Sequence, residues 1–170
     1  MRCELLISRG CAVLSAGLAL ACSPSGDGGG VDVPAPAVEI GVPSASDGLE
    51  FAPLAPGDEI RLQSFGQGGT HVLLGVRCVG FGNRAFVNLT LTNLNTGAQV
   101  FSPASVRPQL LYCREPNVCD LVPILAMTGG LTAPEEERDG VPVDIAAEVH
   151  NDAGLMASGS QTAVLSTADL

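Results

Sequence analysis

Apolar and polar side chains alternate with a period of two in three stretches of the chain. His71 to Val79 puts Val72, Leu74, Val76 and Cys78 on one face. Phe86 to Thr92 puts Val87, Leu89 and Leu91 on one face and Asn88, Thr90 and Thr92 on the other. Val141 to Val149 turns Val141, Val143, Ile145, Ala147 and Val149 one way, and Asp144 and Glu148 the other. This period predicts strands with one face on a core and one in water. Weaker runs at 59–63, 98–102, 105–112, 120–127 and 157–166 predict further strands. Gly80-Phe81-Gly82-Asn83, Asn93 to Gly97 and Asn151 to Gly154 are turn-rich and short, as hairpins require. Pro108, Pro123 and Pro142 fall inside candidate strands. Proline has no N–H for the ladder, so each should lie at an edge or a bulge, which favours an open sandwich over a closed barrel. Seven to nine short strands over residues 49–170 predict an all-β fold, an antiparallel β-sandwich. No internal repeat is visible, which disfavours a solenoid or propeller.

In architecture the pattern resembles immunoglobulin-like and fibronectin-III-like sandwiches. The chain has no Trp, so the Cys–Trp–Cys spacing of true immunoglobulin domains is missing. The resemblance is one of architecture, and a fold assigns no function by itself.

Ahead of the domain the pattern is different. Residues 22–48 are dominated by Gly, Ser and Pro after the cysteine, with a triple glycine at 28–30 and Pro34-Ala35-Pro36. Such a composition reads as a tether. Its one apolar stretch, Val38 to Val42, is a candidate first edge strand. Residues 1–21 read as a signal peptide: Arg2 and Arg9 give a positive start, and Gly10 to Leu20 is an uncharged run too short to span a bilayer.

Leu18-Ala19-Leu20-Ala21-Cys22 resembles the signal peptides of bacterial lipoproteins, in which small residues precede a cysteine that becomes the acylated N-terminus. The usual pattern has Leu three residues before the cysteine, where this chain has Ala19 between Leu18 and Leu20. Ala19-Leu20-Ala21 also fits the small-x-small rule of ordinary secretory cleavage. Both readings cut between Ala21 and Cys22. The resemblance implies Cys22 as the lipidation site and a membrane held through acyl chains. Ser23, rather than Asp, after that cysteine implies an outer-membrane destination.

Cys3 and Cys11 leave with the leader, and an acylated Cys22 cannot bridge, which leaves three of six cysteines to pair; without acylation four remain and two bridges become possible. Cys113 and Cys119 flank the turn signal Pro116-Asn117, which predicts a disulfide across a hairpin in an oxidising compartment. Cys78 shares the face of Val72, Leu74 and Val76 and reads as a small buried hydrophobe.

Composition removes function classes rather than naming one. The chain has 170 residues, 18 acidic against 8 basic, for a net charge of -10, and every basic residue is Arg. Without residues 1–21, which hold Glu4, Arg2 and Arg9, 17 acids face 6 arginines. An acidic chain without a basic cluster is repelled by phosphates, so nucleic acid is not an expected partner. A copper site would need two His, a Cys and a Met close together, but Cys119 lies far from the neighbours His150 and Met156, and His71 and Cys78 fall on opposite faces of one strand. Both histidines read as surface residues. Glu135-Glu136-Glu137-Arg138-Asp139 reads as a solvated loop, with a weak Ca²⁺ site as the lesser reading. Gly154 to Gly159 misses the spacing of a nucleophile elbow. Gly66-Gln67-Gly68-Gly69 lacks a phosphate-binding Lys and reads as a turn. Asn88-Leu89-Thr90 matches a glycosylation acceptor, which is uninformative at a bacterial address.

No metal, cofactor or catalytic residue is assigned. The expected role is a non-catalytic binding or structural module of the cell envelope, engaging a partner protein or a glycan through loops or a sheet edge. Gly129 to Gly140 is the most exposed candidate loop. The rival class is a periplasmic metal-handling or small hydrolytic protein.

Overall fold

The computed structural model describes residues 34–45, 48–64, 70–101, 108–128 and 138–167. All elements among them are strands: β1 (Ala37–Pro43), β2 (Phe51–Pro53), β3 (Asp58–Ser64), β4 (Thr70–Val79), β5 (Arg84–Asn93), β6 (Gln99–Phe101), β7 (Gln109–Leu110), β8 (Tyr112–Glu115), β9 (Val118–Met127), β10 (Pro142–His150) and β11 (Met156–Ser166). Seven of them have seven or more residues. The other four have two to four.

The strands build a β-sandwich. One layer is centred on β4, which pairs with β9 along one edge and with β3 and β1 along the other; β8 extends it beyond β9 and β2 beyond β1. The second layer is centred on β10, between β5 and β11, with β6 and β7 on β5. The period-two faces meet between the layers. Val72, Leu74, Val76 and Cys78 are each 0% exposed, as are Val143, Ile145 and Ala147. Val87, Leu89 and Leu91 join the same cluster. Burying such side chains contributes about 1.5–3 kcal/mol each and is the main force closing the sandwich.

β3 belongs to both layers. Asp58 to Arg61 pair with Ala163 to Ser166 of β11, and Leu62 to Ser64 pair with β4. Strands that change sheets in this way make the corners of packed sheets. The β3–β11 pair is parallel, where the sequence pattern predicted antiparallel pairing throughout. Met156 to Val164 of β11 and all of β10 form a long antiparallel hairpin, and the parallel contact arises only where β3 arrives at the far edge of β11.

The fold starts earlier than composition suggests. β1 lies inside the segment read as tether, carries the buried Ile40, and pairs on both edges, with β2 and β4. The run at 105–112 divides: β7 pairs with β5, β8 pairs with β9, and buried Leu111 marks the crossing between layers. Pro123 sits at a bulge, where Val122 and Pro123 together stand opposite Gly75. Pro142 is neither at an edge nor at a bulge. It opens β10, an interior strand, at the first position, where a missing N–H interrupts no ladder. Asn93 Oδ1 accepts from the Asn95 N–H at 2.8 Å, and Asn151 Oδ1 from the Ala153 N–H at 3.0 Å, which closes the two Asn-led turns.

Candidate functional site

β4 alternates, so its odd residues face out of the sandwich: His71, Leu73, Gly75, Arg77 and Val79. At the centre of this outer face Gly41 of β1 stands opposite Gly75. Both positions must lack a side chain. A Cβ on Gly41 would lie 2.2 Å from Ala52 O and 2.6 Å from the Phe51 ring; one on Gly75 would lie 2.8 Å from Val122 Cγ2. The space is filled by Phe51 of β2, which lies across the two glycines and is 8% exposed.

Arg77 caps that ring, its guanidinium carbon 4.4 Å from the Phe51 centroid. Its Nε donates to Asp120 Oδ1 at 2.8 Å and its Nη2 to Asp120 Oδ2 at 3.1 Å. Glu39 adds a carboxylate 3.9 Å away. The hydrogen bond to Asp120 is the largest influence on Arg77 and pushes its pKa up. Asp120 is 6% exposed, so this bidentate pair is partly desolvated. One side chain thereby ties together β1, β2, β4 and β9. At the sheet edge Arg114 of β8 pairs with Glu50 and lies 5.6 Å over the Tyr112 ring.

A cleft of about 500 Å³ opens beside this cluster, where β1 and β3 part along β4. Its apolar wall is Val42, Pro43 and Leu73, and its polar side is Glu59, Arg61 and Gln63. Over Asp58 to Arg61 the hydrogen bonds of β3 go to β11. Among the described residues no strand pairs with its other edge before Leu62. The volume is in the range of ligand clefts, and one wall is a strand edge.

The sequence-based candidates distribute as follows. Cys113 and Cys119 form a disulfide, as predicted. Cys78 is free and buried. Burial, with the charge of Asp120, pushes its thiol up to about 12, so it is neutral and inert at ordinary pH. His71 is not a surface residue. It is 1% exposed despite its outward position, and burial lowers its pKa. Its register partners are Gln63 of β3 and Met127 of β9. On the inward side of the same end, Arg138 donates to Thr70 Oγ1, and the Thr70 and Thr128 hydroxyls are bonded at 2.7 Å. His150 lies on the outer face of the other layer, stacked on Phe86 at 4.7 Å. It is half-buried rather than free on the surface. Met156 is its register neighbour and is 73% exposed. No group of three His, Cys, Asp or Glu that could hold a metal ion exists among the described residues. Asp139 is engaged in structure, its Oδ1 accepting from the Thr167 N–H at 2.9 Å. Cys22, the glycine run at 66–69, Glu135 to Glu137 and residues 129–137 of the candidate loop lie outside the described residues.

The Phe51–Arg77–Asp120 cluster and the cleft were not read from the sequence. Gly75 interrupting an otherwise apolar strand was the available signal, since a strand glycine often marks close approach of another group. No protein-family model, curated protein or solved structure matches the chain.

Proposed function

We propose that this protein is an exported lipoprotein, anchored through Cys22, whose sandwich is a non-catalytic binding module of the cell envelope. The bacterial outer membrane is its proposed station, and an extended segment of an envelope protein its proposed partner. The observation that carries the reading is the cleft at the β3 corner. Glu59, Arg61 and Gln63 give the cleft a polar side along which an extended segment can lie. Val42, Pro43 and Leu73 offer an apolar seat for alternate side chains of such a segment. The excess of acidic groups keeps the module soluble and weakly repelled from anionic surfaces.

The test is site-specific photo-crosslinking in intact cells. A photoreactive residue replacing Glu59 should give one dominant adduct with an envelope protein, and the same residue at Ser160, on the outer face of the other layer, should not. Equal adducts from both positions, or none from Glu59, would refute the cleft as the binding surface. The anchor is tested separately: Cys22→Ala should move the protein from the membrane fraction to the soluble fraction, and continued membrane association refutes acylation.

A further inference from the structure

Three cysteines form one row across three neighbouring strands. Cys78 of β4 is the register partner of Cys119 of β9, and Cys119 is the register partner of Cys113 of β8. Residues in register project to the same face, so the free thiol and the disulfide share one row with Cys119 in the middle. Gly80, two residues beyond Cys78, donates its N–H to Asn117 O. The N–H and C=O at Cys78 therefore point toward β9, which makes Cys78 and Cys119 a hydrogen-bonded pair with Cα atoms about 5.5 Å apart. Bridgeable cysteines usually have Cα separations of about 4.4–6.8 Å, and a register pair of this kind falls within that range.

We propose that Cys78 is the resident nucleophile of an intramolecular thiol–disulfide exchange that moves the bridge from Cys113–Cys119 to Cys78–Cys119. The row supplies the geometry, with attacker and leaving group on the two strands that flank the strand of the central cysteine. Cys78 gives its proton to hydroxide and its thiolate attacks Cys119 Sγ. The Cys113–Cys119 bond breaks, and its electron pair leaves on Cys113 Sγ, which takes a proton from water. One thiol and one disulfide stand on each side of the step, so no oxidant or reductant is consumed. The consequence is positional. A thiol that is 0% exposed at Cys78 is traded for one at Cys113, an exposed residue on an edge strand. The fold thereby holds a latent surface thiol, available to a partner's disulfide. Burial of Cys78 keeps the exchange silent at neutral pH, because its thiolate is scarce. The inference is independent of the envelope reading.

The test incubates the full chain between pH 7 and 10 without oxidant or reductant, quenches in acid with an alkylating agent, and maps peptides without reduction. Alkylated Cys113 and a linked Cys78–Cys119 peptide should appear together. Their rate of appearance should rise about tenfold per pH unit, following the thiolate fraction. Cys78→Ser should leave Cys113 unlabelled. Unlabelled Cys113 at pH 10, labelling that persists in Cys78→Ser, or a Cys78–Cys113 link would each overturn the proposal. A second variant, Cys113→Ala oxidised with oxidised glutathione, should form the Cys78–Cys119 bridge while keeping its β-type circular dichroism. Two free thiols in that folded variant would also overturn it, and if the variant does not fold, the pH series decides.

Discussion

Replacing Arg77 by Met tests whether one charge pair organises the outer face. Met keeps an unbranched stem over Phe51 and removes the guanidinium. Asp120 is then left with two hydrogen bonds unmade at a site where it is 6% exposed. Breaking a buried pair by removing one partner costs about 3–5 kcal/mol. The Arg77 side chain is 30% exposed, so water reaches part of the site and brings the cost below that range, to about 2–3 kcal/mol with the lost ring contact included. For a urea m-value of about 2 kcal/mol per molar, the unfolding midpoint should fall by about 1 M or more. Arg77→Met with Asp120→Leu substitutes an apolar pair and should recover stability to within about 1 kcal/mol of the parent, because no buried charge remains unpaired and Glu39, the other partner, is half exposed. The loss in the single variant should persist at high salt, since screening acts weakly on a desolvated pair. A single variant within about 0.5 kcal/mol of the parent, the range of ordinary surface substitutions, would refute the reasoning. So would a double variant no more stable than the single one.

Three further outcomes are expected. Gly41→Ala should destabilise more than Gly75→Ala, because the first meets a backbone oxygen at 2.2 Å and the second a side-chain methyl at 2.8 Å. Overpacking of this kind costs about 1–3 kcal/mol, read as a thermal midpoint several degrees lower. Cys78 titrates at about 12 in the fold against 9.0 as its unperturbed value, so the folded chain holds the proton that the unfolded chain releases. Stability relative to Cys78→Ala should therefore fall by about 1.4 kcal/mol per pH unit above pH 9, measured in short urea titrations, and a constant difference would contradict the burial. His71 has the opposite sign. Its folded pKa lies below 6.5, so the unfolded chain takes up the proton first, and the parent should lose stability relative to His71→Gln as pH falls below 6.5.

The layers were legible where burial and alternation coincide. The apolar positions predicted for β4, β5 and β10 are the buried ones, because in a strand covered on one face the side-chain period and the burial period are both two. The disulfide was legible because both cysteines flank a local turn. His71 was misread for a nonlocal reason. It obeys the outward alternation yet is 1% exposed, and burial of an outward residue depends on packing from outside the strand, which no pattern within β4 records. Val38 to Val42 was legible as a candidate edge strand inside a Gly- and Pro-rich tether, but not its pairing on both edges, which depends on partners that follow it in the chain.

By itself the sequence determined the local facts: the all-β class, the inward residues of the long strands, and the Cys113–Cys119 hairpin bridge. Each depends on side chains within about ten positions, where periodicity and turn chemistry act. Tertiary structure decided what depends on register between distant segments. It set Gly41 against Gly75 so that Phe51 could lie across them, and joined Arg77 to Asp120. It opened the cleft by moving β3 from one layer to the other. It also lined Cys78 up with a disulfide that the sequence places far along the chain. A sheet pairs residues by hydrogen-bond register, not by separation along the chain, and a shift of one residue in one of these ladders would dissolve the arrangements that ladder carries.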